Sequence, residues 1–158
     1  MKDDARWDAA SEGAELLAEG KREAAIEVLD QVLLADDQNE YASFFLGNAF
    51  FEAEEYPRAL KAYVRALELS PRYLGALIGC GHAARLMGKL DQALRCGQQA
   101  MTISEEDADA HYLLGATYFT RGESQLAIRH LTAFVSSNPE IEVRIEALGM
   151  LEVLRSEV

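Results

Sequence analysis

Residues 44–71 read FFLGNAFFEAEEYPRALKAYVRALELSP, and this stretch decides the fold. It holds the small residues Gly47 and Ala59 and the bulky residue Tyr63 in a fixed order. Steps of 34 residues from Gly47 reach Gly13, Gly81, Gly115 and Gly149. The same steps from Ala59 reach Ala25, Ala93 and Ala127. A period that holds over this length indicates a protein built from stacked structural repeats.

Each period predicts two amphipathic helices, because apolar residues recur at helical spacing and no segment alternates as a strand does. A third register contains Gly20, Gly88 and Gly122, with Glu54 in the remaining place. Pro71 and Pro139 cannot continue a helix interior and therefore mark unit boundaries. Asp36–Asp37 and Ser104–Glu105 lie at similar boundaries, where short polar side chains are expected to cap the next helix.

The spacing resembles the tetratricopeptide repeat (TPR), a 34-residue helix–turn–helix unit. The residues that this family favours occur in the second unit at Leu46, Gly47, Phe50, Ala59, Tyr63, Ala66 and Pro71. The fourth unit carries Leu114, Gly115, Tyr118, Ala127, Leu131, Phe134 and Pro139 at the same places. The first and third units depart from the pattern at several positions.

This resemblance implies an all-α fold, a right-handed α-solenoid of four TPR repeats followed by a C-terminal capping helix. We expect one domain over residues 1–158, with repeats at about 6–39, 40–73, 74–107 and 108–141 and the capping helix at 142–158. No unit can bury its apolar face alone, so neighbours must stack. The polar outer side expected of the capping helix would come from Arg144, Glu152, Arg155 and Glu157.

Composition excludes several classes of partner. The 158 residues fit one domain, and 27 acids against 15 bases give a formal charge of −12, which disfavours nucleic acid and anionic lipid. No apolar run is long enough for membrane insertion, and the N-terminus does not resemble a secretory signal. Cys80 and Cys96 are interpreted as small core residues, which favours a reducing, cytoplasmic location. The sequence shows no catalytic constellation or metal-ligand spacing. Residues 79–84, GCGHAA, match a dinucleotide-binding pattern, but they lie inside a predicted helix, so no cofactor is expected.

In the TPR family the first helix of each unit lines a concave groove. The positions that face this groove include the candidate partner-binding residues Tyr41, Phe44, Asn48, Phe51, Ile78, His82, Arg85, Tyr112 and Phe119. Phe44 and Phe51 are not needed by the repeat core, because Leu46 and Phe50 already serve it. An exposed apolar patch of this kind usually marks an interaction site.

The third unit adds two glycines, Gly75 and Gly79, one helical turn apart. We expect a depression there that takes a side chain of the partner; alternatively, the glycines only permit tight helix packing. Asn48, His82 and Arg85 form the polar cluster of the groove. Asn48 matches an Asn of the TPR subclass that captures C-terminal carboxylates, but Phe44 replaces its Lys. Arg85 either pairs with an acidic group of the partner or is simply solvated beside a neutral histidine.

The predicted function is that of a non-catalytic adaptor or scaffold, which binds a peptide or helix of another protein without a cofactor. As an alternative, residues 20–47 are similar in pattern to the TPR chaperones of bacterial type III secretion translocators, which hold a hydrophobic segment of their client. A homodimer is also possible, because a second copy could cover the exposed aromatic residues.

Overall fold

The computed structural model describes residues 3–157, and these residues form nine α-helices. The helices are α1 (Asp3–Ala18), α2 (Arg22–Ala35), α3 (Glu40–Glu52), α4 (Tyr56–Leu69), α5 (Leu74–Leu86), α6 (Leu90–Ile103), α7 (Ala108–Arg121), α8 (Ser124–Ser136) and α9 (Ile141–Ser156). The chain is all-α over this range, as predicted. Val158, the last residue of the predicted capping helix, lies outside the described residues.

The helices stack in sequence order. Each helix contacts the next one along the chain, and α1, α3, α5, α7 and α9 also contact each other in succession. The even-numbered helices make no such contacts with one another within residues 3–157. The odd-numbered helices are therefore closer together and lie on the inner side of a curved solenoid.

The helices of each hairpin approach closely where the repeat places a glycine. A Cβ atom on Gly47 would lie less than 3 Å from the ring of Tyr63. The same relation joins Gly13 to Leu29 and Gly115 to Leu131. The predicted roles are confirmed for these hairpins, because a bulky side chain of the second helix lies directly on the glycine of the first.

The α5–α6 hairpin uses a different arrangement, since Gly97 stands where the other hairpins have a bulky residue. The space is filled from the following unit by α7. Leu113 lies against Gly81, and Leu114 lies against Gly97. The third hairpin therefore depends on its successor for the packing that the other hairpins supply themselves.

The third set of repeated positions, defined above by three glycines and Glu54, lies at the turns inside the hairpins. Gly20, Gly88 and Gly122 adopt φ angles between 76° and 78°, and Glu54 adopts a φ of 59° at the equivalent turn. Side chains are disfavoured in this left-handed region, which explains the three glycines. Glu54 adopts the same conformation, although its side chain makes this conformation unfavourable.

Two helices begin at the predicted unit boundaries, Glu40 and Ala108, but with other caps than the sequence predicts. Asn39 caps α3 by accepting a hydrogen bond from the backbone N–H of Ala42 (3.1 Å), and Asp107 caps α7 in the same way at Ala110 (2.8 Å). The prediction that Asp36–Asp37 and Ser104–Glu105 cap these helices is wrong. Asp36 ends α2 instead, where its carboxylate pairs with Arg6 at 3.0 Å.

The residues predicted to form the polar outer side of the last helix, Arg144, Glu152, Arg155 and Glu157, are exposed, but apolar residues are exposed beside them. Ile141 is 70% exposed, Ile145 is 63% exposed and Leu148 is 42% exposed, and all three lie on the side of α9 away from its buried residues. Ala147, Leu151 and Leu154 bury the opposite side against α7 and α8. The outer side of α9 is therefore an apolar stripe with charged residues between its members.

Cys80 and Cys96 are buried and not joined by a disulfide, in agreement with their predicted place in the core. A hydrogen bond to Cys96, together with burial, raises the pKa of the Cys80 thiol. No helix within residues 3–157 combines the length and hydropathy that a bilayer crossing requires.

Candidate functional site

A pocket of about 390 Å³ opens on the inner side of the solenoid between α3, α5 and the start of α7. Its lining is mostly apolar. It consists of Phe44, Asn48, Phe51, Tyr63, Leu74, Gly75, Ile78, Gly79, His82, Asp107 and Asp109. Five of the nine candidate residues lie in this lining, namely Phe44, Asn48, Phe51, Ile78 and His82. We call this depression the central pocket.

A second depression of about 260 Å³ continues from the central pocket towards α1. Asn48, Phe51 and Tyr63 border both. The remaining lining consists of Ala14, Leu17, Ala18, Phe45 and Glu52. The two depressions adjoin each other on the inner side, and together we call them the groove.

Phe44 contributes to the core as well as to the pocket. Its ring packs on Tyr73 with 4.8 Å between centroids and approaches Tyr63 at 6.0 Å. It also covers Gly75, whose Cβ would meet the Phe44 ring at 3.0 Å. The prediction that the core does not need Phe44 is therefore wrong. Phe51 is also partly buried against this core cluster, but its described ring contact is with Tyr56, at 5.3 Å between centroids.

The depression predicted at Gly79 is already filled by the protein itself. A Cβ atom on Gly79 would lie 2.5 Å from Cζ of Tyr63, and that ring also lies on Gly47. Of the two interpretations left open by the sequence, tight packing is the one that the structure shows at this glycine. The open volume of the central pocket lies beside the ring.

Asn48 fixes the tip of the same tyrosine. The hydroxyl of Tyr63 donates a hydrogen bond of 2.7 Å to Asn48 Oδ1, and burial raises the pKa of Tyr63. Asn48 therefore presents its amide group beside the pocket in a fixed orientation. In the part of the chain that the structure describes, no lysine or arginine lines either depression, so the lining does not form a carboxylate clamp.

His82 and Arg85 lie next to each other on α5. Burial lowers the pKa of His82 to about 3, and the charge of Arg85 contributes to this shift. The imidazole is therefore neutral at pH 7, and its Nδ1 atom lies 3.4 Å from Nη2 of Arg85. His82 reaches the central pocket, whereas Arg85 is not part of the lining.

The remaining candidates lie outside the central pocket. Tyr41 makes an edge contact with Trp7 at 5.3 Å and another with Tyr73 at 5.8 Å. Tyr112 packs between His82 and Phe134, at 5.5 and 4.9 Å. Phe119 is partly buried against the cluster formed by α7, α8 and α9. These rings extend the aromatic inner surface but do not converge on one cavity.

Two carboxylates line the pocket although they are not among the nine candidate residues. Asp107 and Asp109 line the rim of the central pocket at the start of α7. Burial raises the pKa of Asp109, and the neighbouring charge of Asp107 adds to the effect. Asp109 occupies a groove-facing repeat position and could have been chosen on that basis. Asp107 carried no such signal, because it lies in the turn before the helix.

Family models describe most of this chain as TPR units. A model described as "Tetratricopeptide repeat" matches residues 11–73, and one described as "TPR repeat" matches residues 81–122. The chain is a tetratricopeptide repeat protein.

Among curated proteins, this TPR protein is similar to the cell division cycle protein 27 homolog of Caenorhabditis elegans. The two are 26% identical over 116 residues, which cover 73% of this chain and 15% of the relative. The chain therefore spans about 15% of the length of that relative.

Solved structures share the fold. A thermophilic TPR protein of Thermus thermophilus superposes with a TM-score of 0.74 at 23% identity, covering 96% of this chain and 82% of that one. The second TPR domain of human RPAP3, solved in complex with the HSP70 peptide SGPTIEEVD, gives a TM-score of 0.67 at 23% identity. That match covers 73% of this TPR protein and 98% of the RPAP3 chain.

Proposed function

We propose that this protein is a non-catalytic interaction module that holds a peptide or helix of a partner protein in the groove on its inner side. The observation that carries the proposal is the central pocket, an apolar depression of about 390 Å³ that continues into a second one. A depression of this size accepts one or two large apolar side chains of a bound segment. Phe51, which borders both depressions, is the expected anchor of the interaction.

The charges around the groove indicate the composition of the partner segment. Glu52, Asp107 and Asp109 border the two depressions, and the lining described above contains no cation. The formal charge of the whole chain is −12. We therefore propose a segment with large apolar side chains and a nearby lysine or arginine, because complementary charge favours binding and correct orientation.

The comparisons support a peptide-binding role at the level of the fold. The RPAP3 domain was solved with a peptide, and its fold is shared. That peptide, SGPTIEEVD, is acidic, whereas the groove of this chain is bordered by acids. The two buried free thiols also fit a reducing, cytoplasmic setting.

The experiment is a selection from a phage-displayed library of random peptides of about 12 residues, a length that can cross the groove. The protein is immobilised, and enriched peptides are synthesised and measured by isothermal titration calorimetry. We expect enriched peptides to combine aromatic or long aliphatic residues with Lys or Arg. Phe51→Ala should weaken their binding about tenfold, since anchor residues dominate such interfaces.

The control is Leu34→Ala, which truncates a residue that is 80% exposed on α2. It should leave the affinity unchanged. Asp109→Asn should weaken basic peptides more than neutral ones. Peptides that bind Phe51→Ala as tightly as the unmodified protein would place the binding site elsewhere and overturn the proposal.

A further inference from the structure

The outer side of α9 is apolar and exposed within residues 3–157. Ile141, Ile145 and Leu148 form a stripe along one side of the helix, and each is more than 40% exposed. Arg144 and Glu152 are exposed beside or between them. Exposed apolar stripes on a helix usually mark a contact with another helix.

Gly149 lies beside this stripe and is the one glycine of its register without a covering side chain among the described residues. Its counterparts Gly13, Gly47 and Gly115 each carry a bulky side chain from the second helix of their hairpin. A Cβ atom on Gly149 would meet no atom within 4 Å. The surface of α9 is therefore shaped like the first helix of a hairpin, with the face for a second, antiparallel helix open.

We propose that this face binds the α9 helix of a second copy of the chain, so that two copies form a symmetric dimer through α9. A two-fold axis perpendicular to the helix makes the two α9 helices antiparallel, as the two helices of a TPR hairpin are. Leu148 of one copy meets Leu148 of the other at the axis, with Ile145 beside this contact, and the small Gly149 allows close approach.

The charges on α9 are complementary under the same symmetry. Arg144 and Glu152 lie four residues before and four residues after Leu148. When the axis passes near Leu148, Arg144 of each copy lies opposite Glu152 of the other. Two ion pairs then flank the apolar contact and favour this register over others. A helix of an unrelated partner would have no reason to match this arrangement, which is why a second copy is the occupant that the residues favour.

The dimer leaves the groove free. The central pocket lies between α3 and α5, whereas the stripe lies on the side of α9 that faces away from α7 and α8. A pair of helices of this length buries less surface area than the interface of a permanent dimer. We therefore expect a dissociation constant on the order of 10 µM for the dimer. The inference is therefore independent of whether the groove binds a peptide.

The test is sedimentation equilibrium of the full chain over a concentration range of about 1–300 µM, because a weak dimer dissociates on dilution. We expect a reversible monomer–dimer equilibrium. Ile145→Glu places charges at the contact and should raise the dissociation constant at least about tenfold. Leu34→Glu is the matched control, because it charges an exposed residue on α2 and should leave the equilibrium unchanged. Circular dichroism confirms that each variant is folded.

Charge reversal tests the register. Arg144→Glu and Glu152→Arg should each weaken the dimer by about fivefold, and the double variant should recover most of that loss, since the pairs are restored with opposite polarity. A chain that stays monomeric at about 300 µM, or an Ile145→Glu variant that dimerises as tightly as the unmodified chain, would overturn the proposal. Failure of the double variant to recover would overturn the antiparallel register about Leu148.

Discussion

Tyr63 donates a 2.7 Å hydrogen bond to Asn48 Oδ1, and this contact holds the tyrosine ring between two helices. The ring lies on Gly47 of its own hairpin and on Gly79 of the next one. It also borders the central pocket. One side chain thus joins α3, α4 and α5 and forms part of the surface on which a partner segment would lie.

Gly79→Ala is expected to destabilise the protein, because the added methyl group would collide with the buried ring of Tyr63. Overpacking of this kind costs about 1–3 kcal/mol of the free energy of unfolding. Urea denaturation measures the change. Gly149→Ala is the matched control at a protein concentration of about 1 µM, where the proposed dimer is dissociated, since it adds the same group where no atom of the chain lies within 4 Å. It should stabilise the helix by about 0.5–1 kcal/mol. Equal effects of the two variants would contradict the packing described for Tyr63.

Glu54→Gly is expected to stabilise the protein. Glu54 adopts a φ of 59° in an exposed turn, a conformation that costs a residue with a side chain about 1 kcal/mol and costs glycine little. Thermal unfolding should therefore show a higher midpoint. The reverse change at the equivalent turn, Gly88→Ala, should lower the midpoint, because it introduces a side chain at a φ of 78°. A lower midpoint for Glu54→Gly would show that its side chain makes a stabilising contact.

Asn39→Ala is expected to cost more stability than Asp107→Ala. Both residues cap a helix, but Asn39 is fully buried and also donates a 2.9 Å hydrogen bond to the carbonyl oxygen of Arg6. Loss of a cap costs about 1 kcal/mol, and loss of the buried hydrogen bond to Arg6 adds about 1 kcal/mol. Denaturation of both variants side by side gives the difference. Equal losses would indicate that the link between α1 and α3 contributes nothing.

Acidification is expected to destabilise the protein partly through His82. The folded state holds the pKa of His82 at about 3, whereas the unfolded chain binds the proton near pH 6.5. The unfolded state therefore carries more protons between these values, and the free energy of unfolding falls as the pH decreases below about 6.5. The slope from this group is at most about 1.4 kcal/mol per pH unit.

The His82→Asn variant isolates this contribution. It retains an acceptor towards Arg85, the cation that helps to lower the His82 pKa, but cannot bind a proton in this range. Burial lowers the pKa of His130 to about 4, so this histidine should preserve part of the acid sensitivity in both proteins. Urea denaturation between about pH 7.5 and pH 5 should show a shallower decline for the variant. Parallel declines would show that His82 is protonated in the folded state.

The sequence predicts the fold well, because the period of 34 residues fixes the places of small and large residues at the same time. Glycines at the hairpin contacts, the third register at the turns and the aromatic inner surface all follow from that period. The helix caps were predicted less well. Asp36 and Ser104 are suitable caps by type, but the chain continues for three more residues before Asn39 and Asp107 begin the next helices.

The candidate site was only partly predictable, since repeat positions specify a side of a helix and not the direction of each ring. Phe44, Asn48, Phe51, Ile78 and His82 lie together in the central pocket. Tyr41, Tyr112 and Phe119 turn towards neighbouring rings or apolar clusters. Which ring fills the space above Gly79 depends on contacts between units, and the spacing within one unit does not contain that information.

Leu113 and Leu114 of α7 fill the space left by Gly97, so the α5–α6 hairpin has no complete interior of its own. Removal of α7, α8 and α9 would leave a cavity inside the α5–α6 hairpin. Cooperativity along this array should therefore be uneven, with the C-terminal half melting as one block that includes α5 and α6. Amide hydrogen exchange should show the protons of α5 through α8 exchanging in a common opening event, even though α5 lies in the middle of the chain.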